Sequence, residues 1–239
     1  GAGLVGLAAP AAVLPVYAGV AASLILLAAE DAAGWRRALA DERRNALLVG
    51  PGNGRDAATR QAVLDALATG RSLVLDADGL TVFAGEAALL AEARRGTLVV
   101  TPHEGEFARL FPDLSGGRLE RAREAARRLG AVVLLKGSDT VIAAPDGRAA
   151  INGSAPPALA VAGTGDVLAG LVGGLLAQGL PAFEAAALAA WLHGRLAAGA
   201  GRGLIADDLP DRLPALYAAL EREAPGDSGD SVKRDSTDS

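Results

Sequence analysis

Ala162-Gly163-Thr164-Gly165-Asp166-Val167-Leu168-Ala169-Gly170 sets an ionisable carboxylate behind two glycines at the point where an apolar helix begins. Glycines let backbone N–H groups crowd around an anion, and a helix N-terminus adds about half a positive charge to them. Gly163, Thr164 and Gly165 are therefore a candidate anion nest suited to phosphate. Asp166 stands beside it as a candidate general base, and that pairing suggests phosphoryl transfer to a hydroxyl. The plainer reading of the same residues is an ordinary helix start, with Asp166 complementing the dipole from the first turn.

Upstream, short apolar runs alternate with helical patterns. Strands are predicted over 4–8, 23–27, 46–49, 72–75, 97–100 and 132–135, and helices over 11–20, 57–68, 86–94 and 118–129. Spacing of this kind argues for βαβ units and a parallel sheet covered by helices. A hairpin follows, with strands over 140–144 and 148–151 about a turn at Asp146-Gly147. Helices over 164–178, 182–198 and 208–222 close a single domain spanning 1–223. The expected fold class is α/β: three layers, with a mostly parallel sheet flanked by helices. Residues 224–239, rich in Gly, Ser and Asp, read as a disordered polar tail.

In an open α/β sheet, ligands bind outside the carboxyl ends of the strands. The polar clusters fall there: Gly50-Pro51-Gly52-Asn53-Gly54, Asp76-Ala77-Asp78-Gly79, Thr101-Pro102-His103-Glu104-Gly105-Glu106 and Lys136-Gly137-Ser138-Asp139-Thr140. Lys136 is the sole lysine ahead of the tail, which holds Lys233. An ammonium at a strand end is placed to meet phosphate as a compact point charge. Any one cluster is readable as a surface turn, but four at successive strand ends point to a site. There is no spaced third glycine for a dinucleotide fingerprint and no Walker Lys-Ser/Thr pair.

Composition narrows the classes. The 239 residues, about half of them apolar, suffice for one substantial core. No cysteine is present, which excludes disulfides and thiolate metal sites and suits a cytoplasmic protein. A net charge of −5 without a basic stripe argues against nucleic acid. The first 29 residues carry no charge. Pro10 and Pro15 interrupt them, no basic segment precedes them, and they divide into strand, helix and strand, so they read as buried parallel strands rather than as a membrane span or signal sequence. The chain also lacks methionine, even at position 1, from which Gly1 is expected not to be the translation start.

The five motifs Gly50–Gly54, Asp76–Asp78, Thr101–Glu106, Lys136–Thr140 and Gly163–Asp166, in this order, resemble the ADP-dependent NAD(P)H-hydrate dehydratases of the ribokinase-like superfamily. The Thr-Pro-His-x-Gly-Glu loop is the most discriminating of them. The resemblance runs over about residues 1–220 and implies repair of nicotinamide nucleotides hydrated on the ring, with ADP converted to AMP and phosphate. It further implies that Gly52, His103 and Asp166 face the NAD(P)H hydrate, that Lys136, Gly137, Ser138, Asp139, Thr140 and Gly165 contact ADP or AMP, and that Asp166 is catalytic. Mg²⁺ on the phosphates, a fused or separate NAD(P)H-hydrate epimerase and a tetrameric assembly are implied as well. Members carry a further N-terminal segment with a glycine-rich loop, so the chain is expected to lack one wall of the pocket. Val161 and Ala162 replace a more Gly- and Thr-rich run, which predicts fewer hydrogen bonds to nucleotide there. The alternatives are a vitamin-precursor kinase of the same fold and a non-catalytic nucleotide-binding remnant.

Overall fold

The structure, a computed structural model, describes residues 2–20, 22–201 and 203–223; the expected disordered tail lies outside the described residues. Runs of Val, Leu and Ile too short for helices form a six-stranded sheet in the order β3 (Ala46–Val49), β4 (Ser72–Leu75), β5 (Leu98–Val100), β6 (Val132–Leu135), β7 (Thr140–Ala143) and β8 (Ala149–Asn152). The pairs from β3 to β6 are parallel, and the hairpin adds β7 and β8 antiparallel. The fold is thus the α/β three-layer class that the alternation of strands and helices implies.

Alternation along each strand separates two cores. Val49, Leu75, Val100 and Leu135 face one layer, where α3 (Ala57–Ala68), α5 (Ala87–Ala93), α6 (Glu104–Leu110) and α7 (Arg118–Leu129) pack. Val74, Val99, Leu134 and Ile142 face the other, covered by α8 (Thr164–Ala177), α9 (Ala182–Ala198) and α10 (Asp208–Glu223). Strands buried on both faces are continuously apolar for this reason.

Three differences from the sequence expectation stand out. First, β1 (Val5–Ala9) and β2 (Leu24–Ala28), joined through α1 (Leu14–Val20), pair in parallel but form a separate two-stranded sheet. The Arg44 side chain, which donates to the Ala38 carbonyl, stands against Gly6 of β1. Second, α2 (Ala32–Leu39) appears where no helix was expected, started by Asp31, whose carboxylate accepts from the Gly34 amide at 2.8 Å. Third, α4 (Asp78–Thr81) and α6 grow directly out of polar motifs that read as loops, because their first turns are built from those motif residues.

Candidate active site

Because β3 to β6 run parallel and in sequence order, the four polar clusters emerge side by side along one edge of the sheet. Gly50 leaves β3 at φ +140°, and a Cβ there would fall 1.8 Å from the Asp76 carbonyl oxygen, so the first two loops approach as closely as backbones can. Ala77 is held at φ 46°, the one non-glycine with positive φ among the described residues, and this strain sits in the turn that aims Asp76. The next two loops touch through a parallel bridge between His103 and Lys136, with the Lys136 amide donating to the Pro102 carbonyl at 2.8 Å.

Two of these loops, through Asp76 and Lys136, reach the start of α8. Gly163, at φ +86°, precedes the helix, and the amides of Gly163, Thr164 and Gly165 donate to no acceptor among the described residues. These N–H groups stand at the positive end of a fourteen-residue helix, where an anion would be favoured. The Thr164 hydroxyl takes no part in this, since it donates to the Leu159 and Val161 carbonyls and fixes the preceding loop.

A cation is already at hand. Lys136 Nζ lies 2.7 Å from Asp76 Oδ1 and 4.0 Å from Glu106 Oε2, and a Cβ on Gly165 would come within 3.3 Å of it. An ammonium at the positive end of a helix is unfavourable unless an anion stands beside it; the fully buried Asp76 carboxylate is that anion. Asp76 Oδ2 is buried with no partner among the described residues and lies 3.9 Å from the same Gly165 position.

Asp166 accepts no hydrogen bond from a described side chain or amide. Partial burial and then the charge of Asp76 raise its carboxyl above the ordinary carboxylate range, and Lys136 opposes this. A carboxylate left unpaired and made more basic is what proton abstraction requires.

The remaining expected residues divide by environment. His103 caps α6: its Nδ1 accepts from the Gly105 amide at 2.9 Å and the Glu106 amide at 3.3 Å, while Glu106 Oε2 accepts from the His103 amide at 2.9 Å. Its Nε2 lies 3.4 Å from Glu106 Oε1, and about half of the side chain is exposed beside Lys136. Gly52, at φ +69°, is open on the side where a Cβ would point. Gly137 and Thr140 close their own turn, the Thr140 hydroxyl donating to the Gly137 carbonyl at 3.0 Å, whereas Ser138 and Asp139 are exposed.

Sequence reasoning assigned no role to Asp76 and overlooked an apolar cavity of about 540 Å³ beside the nest, lined in part by Pro156, Val161, Ala197, Gly201 and Leu204. Val161 there is a wall residue, so its lack of hydrogen-bonding groups suits the cavity.

The NAD(P)H-hydrate dehydratase profile matches residues 1–214. The chain belongs to the NAD(P)H-hydrate dehydratase family. A relative from Salinibacter ruber, the "Bifunctional NAD(P)H-hydrate repair enzyme Nnr", is 46% identical over 199 residues, covering 80% of this chain and 36% of that protein. The "ADP-dependent (S)-NAD(P)H-hydrate dehydratase" of Neisseria meningitidis is 40% identical over 182 residues, covering 69% of this chain and 60% of its own length. The chain thus spans between about a third and three fifths of these curated relatives. Among solved structures, the ADP/ATP-dependent NAD(P)H-hydrate dehydratase of Bacillus subtilis, co-crystallised with ATP and Mg²⁺, superposes with TM-score 0.75 at 29% identity, covering 91% of this chain and 82% of that one.

The site has carboxylates suited to Mg²⁺. No group of three or more His, Cys, Asp or Glu among the described residues could hold a metal alone. Mg²⁺ in phosphate sites, however, needs only one or two carboxylates with substrate phosphates and water. The orphaned Asp76 oxygen and the buried Glu106 carboxylate fit that demand.

Proposed function

We propose that this chain carries out ADP-dependent dehydration of NAD(P)H hydrate, returning NAD(P)H with AMP and phosphate. The observation that carries the reading is Asp166, raised by burial and without a partner among the described residues, next to three amides likewise without acceptors there, with Lys136 alongside.

The base of ADP lodges in the apolar cavity beside Val161 and Leu204, and its diphosphate reaches the amides of Gly163 to Gly165 and Lys136. Gly137, Ser138, Asp139 and Thr140 form the loop beneath it. Gly52, His103 and Asp166 face the hydrate. Asp76 and Glu106 would hold Mg²⁺, which when bound neutralises phosphate charge. Asp166 removes the proton of the ring hydroxyl as the bond to the terminal phosphorus of ADP forms and the bond to the AMP oxygen breaks. Hydroxide is a poor leaving group and phosphate a good one. Departure of phosphate with the C–O electron pair, and loss of a proton from the neighbouring ring carbon, restore the double bond.

No described helix is long and apolar enough to cross a membrane. A cytoplasmic setting, a fused or separate epimerase partner and self-association, up to a tetramer, accord with the repair reading; the helices from Thr164 to Ala198 carry charge only at Asp166, Glu184 and Arg195.

The test is turnover of NADPH hydrate with ADP, followed by NADPH absorbance and phosphate release. Asp166→Asn keeps the shape and removes the base, so the rate drops by about 10² to 10⁴ while ADP still binds. Activity of the unaltered protein falls as pH drops through the Asp166 titration, at a midpoint above the ordinary carboxylate value of 3.8. Undiminished turnover by Asp166→Asn refutes the assignment, and ADP binding without turnover, in a protein that also carries the N-terminal segment of the family, refutes the activity.

A further inference from the structure

Arg118 opens α7, where a cation opposes the helix dipole and no side chain caps the Gly117 N-cap. Such a residue needs a compensating role, and its contacts supply one. Nη1 donates to Asp139 Oδ1; Nη2 donates to the Leu135 carbonyl at 3.2 Å and the Lys136 carbonyl at 2.9 Å; Nε lies 2.9 Å from Glu104 Oε1. Glu104 is held in turn by Arg121 at 3.1 Å. Gly137 passes directly beneath the guanidinium: a Cβ there would fall 2.2 Å from Nη1. Arg118 thus grips both ends of the Lys136–Asp139 turn and covers its outer side, and that turn carries the ammonium beside the nest.

We infer that Arg118 is the positioning residue for the nucleotide, holding the Lys136–Asp139 loop in the shape that presents Lys136 to the diphosphate. The inference rests on the nucleotide reading of this loop proposed above. A direct phosphate contact is a different role, and the geometry opposes it, because both Nη atoms already donate to protein oxygens and Nε is buried against Glu104. An ordinary surface ion pair is opposed by the two backbone carbonyls, which tie the guanidinium to the loop itself rather than to a mobile side chain.

The experiment compares Arg118→Met, Arg118→Lys, Gly137→Ala and the Met/Ala double variant by calorimetric titration with ADP, by kcat and KM for ADP and for NADPH hydrate, and by thermal melting. Arg118→Met raises the Kd for ADP about tenfold, the scale of one charge-assisted hydrogen bond, and leaves the KM for hydrate within twofold. Arg118→Lys recovers part of the loss, since an ammonium reaches fewer of the acceptors. Gly137→Ala pushes the guanidinium off the loop while keeping its charge, so it reproduces the ADP defect, and adding it to Arg118→Met makes little further difference. If Arg118→Met fails to fold, Arg118→Lys and Gly137→Ala carry the comparison. Unchanged ADP affinity, equal weakening of ADP and hydrate, or full additivity of the two changes overturns the assignment. An unaltered protein that binds no ADP overturns the nucleotide reading itself and the assignment with it.

Discussion

His193 on α9 is 7% exposed, its Nε2 is buried with no partner among the described residues, and the Lys136 charge disfavours its protonation. Burial, aided by Lys136 and resisted by the Thr164 backbone, pushes the imidazole from 6.5 down to about 4. A histidine held neutral when folded takes up its proton more readily when unfolded. Its contribution to stability is therefore complete above pH 6.5 and is lost as pH falls from 6.5 towards 4. At 1.36 kcal/mol per unit the full loss is about 3 kcal/mol, most of it gone by pH 4.5. For a chain of this size that lowers Tm by about 5 to 10 °C. The assay is denaturant or thermal unfolding at pH 7.5, 6.0 and 4.5 for the unaltered protein and for His193→Gln, which fills similar space without titrating. Acid loss arising from carboxylates is common to both, so the difference between the two curves isolates the imidazole. Parallel pH dependence in the two proteins would refute the reasoning, and it would mean that His193 is hydrated or protonated in the fold.

Lys136→Ala weakens ADP binding more than hydrate binding by calorimetry, and it lowers Tm because it leaves the buried Asp76 carboxylate unpaired, a cost of up to about 3 to 5 kcal/mol. Adding Asp76→Asn to it restores much of the stability but not the ADP affinity, which separates the charge lost to the ligand from the charge lost to the fold. Asp78 accepts from the Gly54 amide at 3.0 Å and pairs with Arg55 at 2.9 Å, pinning the loop that carries Gly52. Asp78→Ala raises the KM for hydrate about fivefold to tenfold, the scale of one lost hydrogen bond, with little change in the Kd for ADP.

What the sequence disclosed follows from the range of the forces involved. Strands buried on both faces must be continuously apolar, so β3, β4 and β6 are bounded in the structure where the apolar runs start and stop. The helices α3, α7 and α9 also begin and end where their patterns do, and Gly130 at φ 59° ends α7 as a left-handed cap. α6 escaped notice because its cap is His103, a residue outside the usual capping set, and because it is only seven residues long. The division of the N-terminal strands into a sheet of their own depends on tertiary placement, which no local pattern encodes. The positions of the site loops were legible for the same reason as the strands: polar clusters mark where a strand stops. Partners across the sheet were not. Asp76 and Lys136 lie 60 residues apart, Arg118 precedes its loop by a whole helix and strand, and the cavity walls come from residues near 156 and near 200.

On the nucleotide reading proposed above, the placement of charge at this edge of the sheet favours a diphosphate over a lone anion. The end of α8 and Lys136 are positive, but Asp76 already offsets Lys136 at 2.7 Å, so a single phosphate arriving at the nest gains the amides and only part of the ammonium. The same phosphate comes close to the free Asp76 oxygen, and two anions a few ångströms apart in a partly buried site repel strongly. Mg²⁺ held by Asp76 would relieve that repulsion, and two phosphates would supply more of its oxygen ligands than one. Asp166, just beyond the nest, raised by burial and by Asp76, then faces a centre whose charge is balanced. It can accept a proton there without being driven back into the salt link that holds Asp76 and Lys136. On that reading Asp76 would serve the fold and the chemistry at once: one oxygen holds Lys136 against a helix end that would otherwise repel it, and the other, without a partner among the described residues, would face the ligand.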